Sequence, residues 1–576
     1  MTNQDISNIF REIAQILELR GDNPFRIRAY ERAARNIDDL AEKLENISAR
    51  GELTTIAGVG SDLARKIEEI ISKGSLKYYE ELKKTTPKGI FLMFQIPGLG
   101  PKKIKLFYDK LKIDSVEKLE KSARAGSLSK LEGIKSKTES NILRGIDIFK
   151  KSKERILINL ALDIAGEFVS KMKGIKEIER LELAGSLRRR KETIKDIDIL
   201  AISDKPSLVM DKFSKLSLVE QVIAKGVSKA SVIAKRSNVQ VDLRVLERKS
   251  FGSAWLYFTG SKEFNIKLRG LAAKRGYKIN EYGVFSAAEG VGVEKSLAGR
   301  SEEQIFSLLD MAYIPPELRE DRGEIEAALA NKLPKLIELA NIKGDLHAHS
   351  DYSDGENSIE EMAQAAKKLG YEYIGIADHS QSLKIAKGLS VERLYKKIEE
   401  IKKIDKKISA IKVLCGSEVD ILADGSLDYP DKVLKELDFV IAAIHGGFKQ
   451  SKAQLTRRIV SACKNKYVSM IAHPTGMLWG VRDAYELDFD EVFRAAKAQN
   501  VALEINCHPH RLDLNDIYAM RAREAGVKFC LNADAHIIES LDFMELGLGV
   551  ARRSWLTKKD VVNCMKLEQL SEWLKK

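Results

Sequence analysis

The chain has 576 residues, 44% of them apolar by type and 31% charged, with a formal net charge of +13. That length suggests several domains with ample material for packed cores, and the basic balance favours a polyanionic partner, nucleic acid above all. No stretch approaches the roughly 18 continuous apolar residues of a membrane span, and Cys415, Cys463, Cys507, Cys530 and Cys564 form no C-x-x-C pair behind any signal peptide, so a reduced, intracellular, cytoplasmic protein without a membrane partner is expected.

Residues 1–85 and 86–150 are expected to be helical. In "IFREIAQILEL" Ile9, Ile13, Ile16 and Leu17 recur at helical spacing. One local signal repeats: an apolar residue, a G-x-G turn, then a helix. "TTIAGVGSDLARKIEEII" carries Gly58 and Gly60, "MFQIPGLGPKKIKLFYDKL" carries Gly98 and Gly100, and a weaker third copy starts around Gly133. Residues 151–250 turn to mixed structure, with "DIDILAI" and "VQVDLRV" as strands. The second alternates, Val239, Val241, Leu243 and Val245 on one face and Gln240, Asp242 and Arg244 on the other. Residues 251–316 continue the mixed region up to Pro315-Pro316, and the charged, helical-looking stretch 317–343 reads as a linker. From 344 to 576 short apolar strands (YIGIAD, KVLCGSEVD, FVIAAIH, SMIAH, VALEIN, KFCLNAD) alternate with amphipathic helices. That rhythm suggests a parallel β/α barrel, whose chemistry sits at the carboxyl ends of its strands.

Two stretches carry chemistry. In "LAGSLRRRKETIKDIDIL" Gly185-Ser186 can open a helix, Arg188, Arg189 and Arg190 follow, and Asp196 and Asp198 share one strand face. Asp242, the only acid on the polar face of its own strand, is the natural third carboxylate. Such a trio suits two Mg²⁺ ions in in-line phosphoryl transfer. The second signal is the histidines. All eight lie at or beyond His347. With carboxylates at strand ends they give the series His347, His349, Asp354, His379, Glu418, His445, His473, Asp534 and His536. H-x-H and D-A-H each aim two ligands at one place, and the set is too large for one ion, so a cluster of two or three is expected. His508 and His510 either support that cluster from outside or lie on a loop that contacts substrate.

The D-L-H-x-H-S-x-x-S-D-G, A-D-H, G-x-E, I-H, A-H-P and D-A-H motifs resemble the PHP (polymerase and histidinol phosphatase) domain over about 344 to 570. This resemblance implies a metal-dependent phosphoesterase on a distorted seven-stranded barrel, with Zn²⁺ and/or Mn²⁺ held by the series above. G-S-x-R-R, D-x-D and the lone Asp242, together with "YFTGSKEFNIKLRG" and "INEYGVF", resemble the nucleotidyltransferase palm and thumb of family X DNA polymerases, typified by DNA polymerase beta. The two G-x-G turns resemble helix-hairpin-helix motifs, in which Gly58, Gly60, Gly98 and Gly100 let backbone amides approach a DNA phosphate.

By the polymerase resemblance, Asp196, Asp198 and Asp242 bind two Mg²⁺ or Mn²⁺ ions. Ser186 and Arg189, helped by Arg155, hold the triphosphate. Tyr257 and Phe258 lie against the incoming sugar, Gly260 belongs to the nucleotide site, Asn265 faces the base and Arg269 the template. Lys66 matches a Schiff-base lysine for 5′-deoxyribose phosphate removal, with Tyr30 as a DNA-contacting partner. The chain departs from the family pattern at Arg190 and Lys195, often glycine, at Gln240, an arginine in the animal enzyme, and at Asp62 and Tyr78, which replace basic residues. The whole implies a polymerase for short gaps in base excision repair fused to a 3′–5′ exonuclease. Its partners would be gapped or primer-template DNA with a 5′-phosphate and dNTPs, and it is expected to be monomeric and nucleoid-associated. The alternative is a barrel acting on small phosphate monoesters such as a histidinol phosphate.

Overall fold

The structure, a computed structural model, describes residues 3–38, 44–96, 98–286 and 296–575. It divides into two compact units, one formed by 1–153 with 479–483 and the other by 154–478 with 484–576.

The first unit is helical. Phe10, Ile13, Ile16 and Leu17 of helix Asn3–Arg20 pack on Ile27, Tyr30 and Ala34 of helix Pro24–Asp38, with the Phe10 and Tyr30 rings edge to face at 5.4 Å. A second core gathers Ile90, Met93, Ile104, Phe107, Ile142 and Ile146. The repeated turn is one geometry built three times. The amides of Val59, Leu99 and Ile134 donate to the carbonyls of Ile56, Ile96 and Leu131 at 2.9, 3.1 and 3.1 Å. Gly58, Gly98 and Gly133 hold φ of 82°, 78° and 81°, where a side chain is disfavoured. Helices Ser61–Lys73, Pro101–Leu111 and Ser136–Glu154 follow. The third copy, weak in sequence because its glycine stands alone, is as regular as the other two.

The second unit opens with a five-stranded sheet in the order Arg180–Leu183, Asp196–Ile202, Gln240–Leu246, Lys229–Ala234, Val219–Lys225. Asp196–Ile202 and Gln240–Leu246 run parallel and their outer neighbours antiparallel. The alternation in the Gln240–Leu246 strand is realised: Val239, Val241, Leu243 and Val245 are all buried. Phe168 and Phe213, from helices Ile158–Lys173 and Pro206–Ser214, meet at 5.8 Å in the core beneath the sheet.

Tyr257 and Phe258 lie near the end of a helix, Phe251–Thr259. The continuous apolar run is helical because the segment is packed on several sides, which erases periodicity. The stretch 317–343 is not a free linker but a strap bound to the fold. It holds one short α-helix, Glu324–Leu329, and a 3-10 turn, Leu339–Asn341, and buries Leu318, Ile325, Ala328, Leu336 and Ile337. Most of these join Phe264, Leu268, Ile305 and Phe306 in one core, together with Trp555 from the far end of the chain. Its charges misled because several, Arg319 above all, are buried in ion pairs.

The barrel has seven parallel strands in sequence order, Gly344–Ala348, Tyr373–Ile376, Lys412–Asp420, Phe439–Ala443, Val468–Ile471, Ala502–Asn506 and Phe529–Asn532. It closes where the His349 amide donates to the Ala535 carbonyl at 2.8 Å. Every residue of these strands except Lys412 is buried, as expected when helices cover a parallel sheet.

Candidate active sites

The palm centre follows from strand register. Asp198 pairs with Asp242 and Asp196 with Gln240 across the parallel strands, so three carboxylates share one face two residues apart. Burial and then the charges of Asp196 and Asp242 push the Asp198 carboxyl up to about 7, a repulsion that a divalent cation would relieve. Gln240 Nε2 donates to Asp242 Oδ1 at 2.8 Å. Gly185, at φ 62°, lets the chain pass close by: a Cβ there would stand 2.3 Å from Asp198 Oδ2.

Above the aspartates lies a cavity of about 490 Å³, lined by Arg155, Ser186, Arg189, Asp196, Asp198, Tyr257, Phe258, Gly260, Asn265 and Arg269. Every nucleotide-site residue read from the sequence is therefore on one wall or another, joined by Lys191, Lys195 and Lys262. Asp242 sits behind the lining, beside Asp198. Asn265 Nδ2 donates to the Tyr257 carbonyl at 2.7 Å, the Tyr257 and Phe258 rings meet edge to face at 5.1 Å, and Arg244 covers Phe258 at 4.1 Å. Arg155 Nε donates to Thr193 Oγ1 at 2.8 Å.

Sequence reasoning missed the carboxylates that hold the arginines. Arg188 Nη2 meets Glu302 Oε2 at 2.7 Å, and Arg319 Nη1 meets Glu302 Oε1 at 2.6 Å. Burial raises the Glu302 pKa, but Arg319 and Arg188 outweigh it and bring the carboxyl down to about 2. Arg189 Nε meets Glu320 Oε1 at 2.9 Å and its Nη1 donates to the Thr259 carbonyl.

The barrel centre collects the whole histidine–carboxylate series at the strand ends. Three clusters are close enough to hold an ion each: His349, Asp354, His379 and His536; His347, His349 and Asp534; His379, Glu418 and His445. His473 joins through Glu418, Nε2 to Oε1 at 2.9 Å. His347 Nε2, His349 Nδ1 and Nε2, Asp354 Oδ1 and His379 Nδ1 are buried without a hydrogen bond. Imidazole nitrogens crowded against carboxylates in a buried site, His379 Nδ1 at 2.9 Å from Glu418 Oε2 and His349 Nε2 at 3.2 Å from Asp534 Oδ1, fit metal ligands. Supporting groups fix the rings from behind: His347 Nδ1 meets Glu504 Oε1 at 2.7 Å, Asn532 Nδ2 donates to the same oxygen at 2.9 Å, and His445 Nδ1 meets Asp420 Oδ1 at 2.9 Å. Glu504 had a sequence signal, an acid inside the apolar run VALEIN. His508 stays outside the clusters, its pKa down to about 4 mainly through burial, against the Phe543 ring at 5.5 Å. His510 is exposed on the same loop.

In the first unit, Gly60, Gly98 and Gly100 are exposed at their turns and Gly58 is partly so. Tyr30 is not placed to touch DNA: it is 1% exposed, because its ring fills the core beneath Phe10. The Lys66 amine lies 5.6 Å from the centroids of Tyr30 and Tyr78 and pairs with Asp62. Burial lowers its pKa, yet Asp62 and Tyr30 outweigh burial and raise it. Schiff-base chemistry needs the neutral amine, so this environment works against it.

Family profiles match four segments: a helix-hairpin-helix domain at 1–76, a SAM-like helix-hairpin-helix tandem at 91–147, a DNA polymerase beta thumb at 254–320 and a PHP domain at 345–508. The last stops short of Asp534 and His536, which the fold returns to the site. The DNA polymerase/3′-5′ exonuclease PolX of Bacillus subtilis (strain 168) is 39% identical over 577 residues, covering 100% of both chains. A protein named "Probable phosphatase" in Thermoanaerobacter sp. (strain X514) is 30% identical over 243 residues, 40% of this chain and 94% of its own. Another of that name in Caldicellulosiruptor bescii is 33% identical over 201 residues, 33% of this chain and 79% of its own. Such barrel-only relatives account for one centre, whereas the full-length relative accounts for both. The chain belongs to the family X DNA polymerases that join helix-hairpin-helix domains and a polymerase beta-type thumb to a C-terminal PHP domain.

Proposed function

We propose that this DNA polymerase and 3′–5′ exonuclease fills short gaps in damaged DNA and trims the primer's 3′ end before extending it. The observation that carries the reading is the cavity that unites the strand-borne aspartates with Ser186, Arg189, Tyr257 and Asn265, on the same chain as the clustered histidines and carboxylates of the barrel. Asp196, Asp198 and Asp242 would hold two Mg²⁺ or Mn²⁺ ions, and the barrel series two or three Zn²⁺ or Mn²⁺ ions, its imidazoles favouring the softer metals. When bound, such ions make a hydroxyl or water more acidic and neutralise charge on phosphoryl oxygens.

The chain's own groups do the rest. Ser186 and Arg189 orient the triphosphate tail, Tyr257 and Phe258 form a wall for the sugar, and Asn265 reaches toward the base. In the barrel, Glu504 and Asp420 fix the tautomers of His347 and His445 so that the opposite nitrogens face the centre. The glycine turns would grip the DNA backbone without reading sequence, favouring a gap with a downstream 5′-phosphate. We place the protein in the cytoplasm with the nucleoid, as a monomer.

The test is a primer labelled at its 5′ end and annealed across a one-nucleotide gap, incubated in Mn²⁺ with and without dNTPs. Lengthening with dNTPs and stepwise shortening without them is the expected result. Lengthening alone, with turnover of para-nitrophenyl phosphate, would assign the barrel to small phosphate monoesters instead.

A further inference from the structure

Arg189, the cation read above as a triphosphate ligand, is not free to serve the cavity alone. Its Nε meets Glu320 Oε1 at 2.9 Å. The same oxygen accepts from Arg553 Nη1 at 3.0 Å. Arg553 stands on helix Met544–Arg553 of the barrel, 364 residues away from Arg189 in sequence, and its Nη1 also reaches the Arg189 carbonyl at 3.4 Å. Its side chain is 0% exposed. Its other terminal nitrogen pairs with Asp516, which Arg322 Nη1 also meets at 3.0 Å, and Glu192 Oε1 lies 3.9 Å from it. The same barrel helix packs tightly on the palm loop: a Cβ at Gly549 would stand 2.8 Å from Cβ of Arg190, the residue with φ 56° where the family often has glycine.

One carboxylate oxygen thus serves two guanidiniums. A carboxylate shared this way binds each partner less firmly than it would bind one alone, because the two cations compete for its charge. Glu320 and an incoming triphosphate are, in turn, competing anions for Arg189. We propose that Glu320 and Arg553 are positioning residues for synthesis: Glu320 withholds Arg189 from the triphosphate, and Arg553, reaching in from the hydrolase barrel, weakens that hold. The inference rests on the reading of Arg189 as a triphosphate ligand.

It makes a prediction with opposite signs, which a merely structural role would not produce. In single-nucleotide gap filling by the full chain, Arg553→Gln should raise the KM for dNTP about fivefold or more, leaving kcat within about twofold. Glu320→Gln should lower KM, and Glu320→Gln with Arg553→Gln should match Glu320→Gln, because the competitor is gone. Arg553→Lys, keeping the charge, should stay near wild type. Shortening of the same labelled primer without dNTPs should be unchanged throughout and reports that each variant is folded. If both single variants moved KM in the same direction, or neither moved it while Arg189→Gln raised it, the proposal would be wrong. If Arg189→Gln itself left KM unchanged, the reading of Arg189 would fail and the proposal with it. Should Arg553→Gln lose primer shortening and prove unfolded, the direction of the Glu320→Gln change decides, a rise in KM overturning the proposal.

Discussion

The two centres of the second unit are built on opposite plans. In the barrel, the acids that face or support the imidazoles come from the barrel itself: Glu418 lies among His347, His379, His445 and His473, and Glu504 and Asp420 stand behind the rings. In the palm, Asp196 and Asp242 push against Asp198, while Arg189 of the cavity is held by Glu320 of the strap and the neighbouring Arg188 by Glu302 of the thumb. The difference teaches that charge balance can be stored or deferred. The barrel sets its carboxylates among its imidazoles, an arrangement that suits bound cations. The palm leaves its acids facing one another, with Arg189 paired away from them to Glu320.

The strongest way to break this contrast is to delete a ligand on each side. Asp198→Ala should cut gap filling by about a thousandfold or more and leave primer shortening intact, with His347→Ala doing the reverse. Loss of both activities from either change would mean that the centres are one machine. Next in size is the thumb's support. Glu302→Gln, leaving Arg188 and Arg319 unpaired, should cost about 3 kcal/mol of stability at neutral pH in urea unfolding. The Glu302 carboxyl is depressed to about 2 from its ordinary value of 4.5. Its stabilisation is therefore present above about pH 4.5 and is lost as pH falls towards 2, so the variant should lack that part of the acid transition. A barrel support should act on a smaller scale. Glu504→Gln should weaken metal retention by about 10- to 100-fold, read as ions bound per chain after dialysis, with synthesis untouched. The smallest effect concerns Lys66. If Asp62 holds its amine charged, Asp62→Asn should increase borohydride trapping on abasic-site DNA a few-fold, and Lys66→Ala should abolish it. No trapped product from any form would end the lyase idea.

What was legible in the sequence was what lies close along the chain. Asp196 and Asp198, His347 and His349, and Asp534 and His536 declare themselves because a two-residue spacing on a strand fixes a shared face. The turns at Gly58 and Gly98 were equally plain. The partners that tune these groups were hidden because they come from far away: Arg188 and Glu302 are 114 residues apart, His347 and Glu504 157, and Arg553 and Glu320 233. Arginines and acids are common enough that no spacing singles these out. The strap at 317–343 misread for a related reason. Its charges looked solvated, and only the fold shows Arg319 and Glu302 enclosed together.

The place of Trp555 bears on how this gene can be cut. The residue lies near the C-terminal end of the chain, yet it sits in one core with Phe264, Leu268, Ile325 and Leu336, and the neighbouring Leu556 carbonyl accepts from the Ile337 amide at 2.9 Å. A polymerase fragment ending at the sequence boundary near 343 would lack part of its own hydrophobic interior, and a barrel fragment starting there would expose the matching surface. In this chain the barrel's final helices and the thumb share one core, although barrels of this kind also occur in relatives that lack the polymerase part. Exchange of modules between relatives would have to carry strap, thumb and final helices together.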